Sequence, residues 1–136
     1  MRSKCHAIPR VTPAQSDLTV KRLYLATINS LRGLRYGVRS EAALREEALL
    51  LAAGVLLGLF VAPNLSWYVA MIGALLVLLA VECLNTAVEK LADYITREQH
   101  SEIGRIKDFG SAAVFCMLCC CALVWLAAIG VRCGLF

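Results

Sequence analysis

Residues 48–81 run for 34 positions without a charged side chain, and residues 109–131 for a further 23. A membrane-crossing helix needs about 20 predominantly apolar residues, so the second run holds one. The first is too long for one span and too short for two complete ones. It is broken at Pro63-Asn64, after which Ser66 can cap a new helix and Trp67-Tyr68 form an aromatic pair of the interfacial kind. The pattern therefore predicts three spans, at about 41–61, 66–95 and 105–131. Ahead of them, Val20, Leu23, Tyr24 or Leu25, Ile28, Leu31, Leu34 and Val38 recur at three- and four-residue steps, with Lys21, Arg22, Arg32, Arg35 and Arg39 between them. That spacing predicts an amphipathic surface helix over about 18–39, weakened by Gly33 and Gly37. Residues 1–17 carry Pro9 and Pro13 and no apolar period, and are expected to form a loose tail. The expected fold class is an all-α membrane protein, with one domain over 18–136.

Composition agrees. Of 136 residues, 60% are hydrophobic and 18% charged, against about 45–50% and 25% in soluble domains. This disfavours a water-soluble enzyme, and disorder requires the opposite balance. The net charge of +4 is less informative than its placement. Nine of the 14 basic residues precede the first uncharged run, four more (Lys90, Arg97, Arg105, Lys107) fall around the loop joining the second and third spans, and only Arg132 lies beyond. The positive-inside rule puts the N-terminus and the 96–104 loop in the cytoplasm and the C-terminus in the periplasm. Nucleic acid is not the expected partner. The first apolar run begins too late for a cleavable signal peptide. Four of the seven cysteines, Cys116, Cys119, Cys120 and Cys121, crowd into the third span, where thiols behave as small hydrophobes. Gly54-x-x-x-Gly58 has the form of a helix-packing motif.

The chemistry concentrates in Glu82-Cys83-Leu84-Asn85-Thr86-Ala87-Val88-Glu89-Lys90-Leu91-Ala92-Asp93. At about 100° per residue, Asn85, Thr86, Glu89 and Asp93 fall within roughly 60° of Glu82 and make one polar stripe. Ionisable residues within a span point to function; the bland alternative is a polar ladder that fixes helix register. With Trp67 at the outer interface, Glu82 lies about 22 Å along the axis and Glu89 about 33 Å, at roughly 1.5 Å per residue. In a hydrocarbon core of about 30 Å, Glu82 sits just beneath the cytoplasmic boundary and Glu89 at or beyond it. One carboxylate can meet a lipid head group as a general base, and the other a hard cation.

Nearby stand Arg97, Glu98, His100, Glu102, Arg105, Lys107 and Asp108, of which Arg105 and Lys107 suit phosphate, with Gly104 expected to loosen the loop. Glu41, Arg45, Glu46 and Glu47 open the first span at the same level, where acidic residues also favour the helix dipole whatever the function. No G-x-x-x-x-G-K-[ST] or G-x-G-x-x-G cradle and no H-E-x-x-H occurs, and the Cys116-x-x-Cys119 spacing lies inside the third span with no His or carboxylate beside it to suggest zinc. A phosphate ligand would then be held by carboxylate-bound Mg²⁺ with Lys and Arg, the minimum for phosphoryl transfer.

Glu82-x-x-Asn85-Thr86-Ala87-Val88-Glu89-x-x-x-Asp93 closely resembles the signature of prokaryotic diacylglycerol kinases, E-x-x-N-[ST]-[SA]-[IV]-E-x-x-x-D. The resemblance continues through Glu41-Ala42-Ala43-x-Arg45-x-Glu47 and Gly104-x-x-Lys107-Asp108-x-Gly110-Ser111-Ala112-Ala113, and covers about 20–131. It implies a homotrimer in the inner membrane, with active sites between subunits that use Mg-ATP. It implies Glu82 as general base with Asn85 arranging the site, and Glu41 and Glu89 as ligands of the metal and ATP. Lys107, Asp108, Glu98 and His100 would contact the nucleotide, and Arg22 and Ser111 would lie near nucleotide or lipid. Two departures stand out: Asn29 occupies the place of an expected tyrosine, and the leading 17 or so residues have no counterpart.

The expected activity is transfer of phosphate from ATP to diacylglycerol, giving phosphatidate. Some members of the family phosphorylate undecaprenol, but the run from Glu41 to Glu47 and the basic surface helix favour diacylglycerol. The rivals from other classes are a small proton-coupled transporter, usually with four spans and a mid-membrane carboxylate, and a non-enzymatic membrane subunit.

Overall fold

In the computed structural model, residues 13–96 and 100–135 are described, and all of their regular structure is α-helical. Helix α1 runs Pro13–Ser40, α2 Ala42–Val61, α3 Leu65–Ile95 and α4 Ser101–Arg132. The chain divides into two compact units, residues 1–35 and 36–136, and α1 crosses the division. Proline opens α1, a favoured first position because its missing N–H has no helical partner there. The helix continues through Gly33 and Gly37 to Ser40.

In the second unit, each junction has a local cause. The N–H of Glu41 donates to the Gly37 carbonyl at 2.8 Å, and Leu44 of α2 is buried against Gly37. A β-carbon at 37 would stand 2.6 Å from Leu44 Cδ1, so the close approach of the two helices needs glycine there. The cap of α3 is Asn64, not the expected Ser66: its side chain accepts the Trp67 N–H at 3.1 Å. Asparagine is among the strongest N-caps, and Ser66 falls inside the first turn. Helix α4 starts at Ser101, four residues before the expected Arg105. Gly104 accordingly lies within it, its N–H bonded to the His100 carbonyl at 3.0 Å, rather than loosening a loop. A helical glycine costs about 1 kcal/mol at most, too little to unwind the end of a 32-residue helix.

Helix α3 is central, packing along both α4 and α2, which barely meet each other. Leu75, Leu78 and Cys121 form the buried core, flanked by Leu51, Met117 and Trp125. Gly54 and Gly58 are both buried in α2. Gly54 lies against Leu75 and Trp125, and Gly58 against the ring of Tyr68, whose hydroxyl donates to the Val55 carbonyl at 3.2 Å. The glycine pair therefore serves packing within the chain, the role small residues play where lipid leaves no hydrophobic drive between helices.

Many large apolar side chains face outward, among them Leu56, Phe60, Leu84, Phe115 and Leu126. Soluble monomers rarely leave such continuous apolar surface bare. Two helices, α3 and α4, are long and apolar enough to cross a membrane. Helix α2, expected as a third span, has 20 residues but carries Arg45, Glu46 and Glu47 near its start. Its uncharged remainder, 48–61, covers about 21 Å at roughly 1.5 Å per residue.

Candidate active site

The stripe expected on α3 exists, and its inner part is buried. Glu82 is 6% exposed, Asn85 and Thr86 are also buried, and Glu89 is half-buried. The Asn85 amide stands between the two carboxylates on the stripe. Its Nδ2 donates to Glu89 Oε1 at 3.1 Å, and the same amide is within hydrogen-bonding reach of Glu82. Its Oδ1 is buried and has no hydrogen-bond partner, and it faces Gly110 of α4. From α2, Glu47 comes close enough to Glu82 for their charges to interact, and one of its oxygens is buried without a hydrogen-bond partner. Glu46, its neighbour, is exposed. A carboxyl in such surroundings has lost most of its water, which suits exchange of a proton with a lipid hydroxyl.

Toward the end of α3, Lys90 pairs with Glu41 at 2.6 Å and lies 5.8 Å from the centre of the Tyr36 ring. Glu41 is thus held by the residue that follows Glu89 in α3. The hydrogen bond from the Lys90 ammonium, with a further one from Ser40, holds the Glu41 carboxyl below its ordinary value of 4.5. A depressed carboxylate pKa contributes stability that is fully present above the unfolded value and lost as pH falls through the folded one. Lys90→Met removes the pair, so its thermal midpoint should trail the parent's at pH 6 and approach it as pH drops below about 4.5. Thermal unfolding in detergent at a series of pH values measures this; a gap that stays constant into acid would show that Glu41 is not the partner that matters.

Lys107 of α4 is held by Asp93, the outermost member of the stripe, which docks the start of α4 onto α3. Arg105 is exposed and pairs with Glu102 at 2.9 Å. His100 is the N-cap residue of α4, and His100, Asp108 and Ser111 are all exposed. Arg22 and Asn29 are exposed on α1 in the first unit. Glu98 lies outside the described residues. Cys116, Cys119 and Cys120 are exposed and Cys121 buried, all four as free thiols. Among the described residues, no three His, Cys, Asp or Glu side chains converge as a metal cage.

The structure thus unites Glu82, Asn85 and Glu89, ties Glu41 to Lys90 on the same helix, and ties Lys107 to the stripe through Asp93. Three residues join the site that the sequence reading left without a role there: Glu47, Lys90 and Gly110. Glu47 carries a signal, because it closes the Glu41-Ala42-Ala43-x-Arg45-x-Glu47 run at the edge of an apolar helix. Gly110 carries one of the same kind, within the Gly104-x-x-Lys107-Asp108-x-Gly110 run, whereas Lys90 carries none, since its importance lies in the neighbouring segment it touches.

Comparison with known proteins decides what such a stripe belongs to. The profile of the family described as "Prokaryotic diacylglycerol kinase" matches residues 28–129. The diacylglycerol kinase of Haemophilus influenzae is 39% identical over 100 residues, 74% of this chain and 85% of that protein. The chain belongs to the prokaryotic diacylglycerol kinase family. Two further family members agree: the diacylglycerol kinase of a Sinorhizobium species is 33% identical over 114 residues, 83% of this chain and 82% of that protein, and that of Escherichia coli K12 is 33% identical over 104 residues, 76% and 85%. Membership makes the chain an enzyme, a diacylglycerol kinase acting on lipid, and sets aside the transporter and the non-enzymatic subunit. The matched segment contains the whole stripe and its partners from α2 and α4.

Proposed function

We propose that this kinase transfers the γ-phosphoryl group of ATP to the free hydroxyl of 1,2-diacylglycerol, giving phosphatidate and ADP by direct in-line displacement. The observation that carries the reading is a buried Glu82 sharing one helix face with a half-buried Glu89, which the Asn85 amide between them holds by a hydrogen bond. Glu82 takes the proton as the lipid oxygen bonds to the γ-phosphorus and the bond to the β-phosphate oxygen breaks. Asn85 keeps the two carboxylates in register. By family resemblance, Lys107, Asp108, His100 and Glu98 would contact the nucleotide, and Arg22 and Ser111 would serve nucleotide or lipid.

Magnesium fits the donor set. It is usually bound by one or two carboxylates and completed by phosphate oxygens and water, and no fuller cage occurs among the described residues. Glu89 and Glu41 would hold it: Asn85 orients one, and Lys90 keeps the other ionised. The ion supplies neutralisation of the charge that develops on the phosphate oxygens.

The same reading places the enzyme in the bacterial inner membrane as a homotrimer of three-span subunits, with α1 on the cytoplasmic leaflet, the N-terminus and the 96–104 loop cytoplasmic, and the C-terminus periplasmic. The outward apolar faces of α2, α3 and α4 support it, as does the gathering of basic residues at one end of the spans. In α2, the charged first turn would lie at the head-group level and the apolar remainder would cross. Offered both alcohols in mixed micelles, the purified enzyme should phosphorylate diacylglycerol at least about tenfold faster than undecaprenol, about 1.4 kcal/mol of discrimination. Labelled phosphate appearing in undecaprenol alone would move the enzyme to the other branch of the family.

A further inference from the structure

Gly110 brings the backbone of α4 against the polar stripe of α3 at Asn85. A β-carbon built at 110 would overlap Asn85 Oδ1 outright and stand 3.2 Å from its Cγ, yet remain 3.9 Å from its Cα, an ordinary van der Waals separation. The two backbones therefore already tolerate a methyl group; the Asn85 amide does not. That amide has little freedom to yield. Its Nδ2 donates to Glu89 Oε1, which turns Oδ1 toward α4, where it is buried without a hydrogen-bond partner. The glycine hydrogen that a β-carbon would replace points at this oxygen, a weak C–H···O contact at best.

Other described glycines differ. Gly33, Gly73 and Gly104 have open space where a side chain would go, and Gly37, Gly54 and Gly58 meet apolar or aromatic side chains. Of these glycines, Gly110 alone abuts a polar atom of the candidate site.

We propose that Gly110 is a positioning residue of the kinase: its missing side chain provides the space in which the Asn85 amide can hold Glu89 while facing Glu82. The proposal rests on the reading of Glu82 and Glu89 as base and cation ligand. A methyl group at 110 drives the amide out of line and breaks its hydrogen bond to Glu89, while α3 and α4 stay packed. Misplacing a catalytic arrangement by about 1 Å costs on the order of 10²-fold in rate.

The test is a double-mutant cycle on the purified full-length enzyme in mixed micelles with diacylglycerol and Mg-ATP, comparing Gly110→Ala, Asn85→Ala and the double variant. Gly110→Ala should lower kcat by about ten- to a hundredfold with the KM for lipid, the thermal midpoint and the particle size unchanged. In the Asn85→Ala background it should cost nothing further, because no amide remains to displace. Equal losses in both backgrounds, or a fall in the thermal midpoint in both, would make Gly110 a packing residue and overturn the proposal. Parental activity in Gly110→Ala alongside a crippled Asn85→Ala would overturn it too and leave the active-site reading standing. Parental activity in Asn85→Ala would overturn both.

Discussion

Glu82→Gln is expected to reduce phosphatidate formation by about 10³-fold, within the range that a general base supplies, while Mg-ATP binding and particle size stay as in the parent. Glutamine keeps the shape of the side chain and can still hydrogen-bond Asn85, so the packing of α3 against α2 and α4 has no reason to change. What it lacks is basicity. Glu82 is buried on the stripe beside the apolar part of α3, where the proposed lipid hydroxyl would meet it with little bulk water at hand. With few competing proton acceptors, loss of this carboxylate falls directly on the chemical step. Initial rates with saturating diacylglycerol, set beside binding of a fluorescent ATP analogue, separate chemistry from binding. Activity near that of the parent would remove Glu82 from the base role.

Glu89→Gln should fail in the opposite way. Glu89 is half-buried and can keep its hydrogen bond from Asn85 as a glutamine, so the stripe survives. The lost charge would otherwise face a hard cation, for which an amide oxygen is a poor substitute. A drop of at least about 10²-fold in kcat/KM for Mg-ATP is expected, carried largely by nucleotide binding and partly relieved by raised Mg²⁺. Titrating Mn²⁺ against each variant by its paramagnetic signal reads the ion itself without turnover. Glu82→Gln should bind Mn²⁺ in the presence of ATP like the parent, and Glu89→Gln should not. Equal Mn²⁺ binding by both would remove Glu89 from the ligand set.

The contrast between these carboxylates was legible in the sequence, because seven residues are close to two helical turns and span about 10 Å of depth. Glu82 and Glu89 therefore share a face but differ in exposure. The helices themselves were equally legible, since apolar runs and a Pro63-Asn64 break leave few alternatives. Their ends were less so. Asn64 rather than Ser66 caps α3, and α4 absorbs Gly104, because caps and end fraying are decided by a few hydrogen bonds of small energy. Glu46 and Glu47 are indistinguishable as letters, yet one faces water and the other faces Glu82. A rotation of about 100° between neighbours separates a solvated charge from a site residue, and only the packing of α2 on α3 sets its phase.

Sequence by itself thus determined that this chain is helical, apolar and charged mainly at one end of its spans, and that three carboxylates and an asparagine lie on one face of α3. Those properties are local: period, composition and spacing along one helix fix them without reference to any neighbour. Tertiary structure alone decided that Lys90 takes Glu41, that Asp93 takes Lys107, that Glu47 turns inward and that Gly110 leaves room for Asn85. These contacts join residues 14 to 49 positions apart, and no helical period carries that far. They depend on the offset and rotation with which α2 and α4 settle against α3, which side-chain interlocking along the whole helix length sets at once.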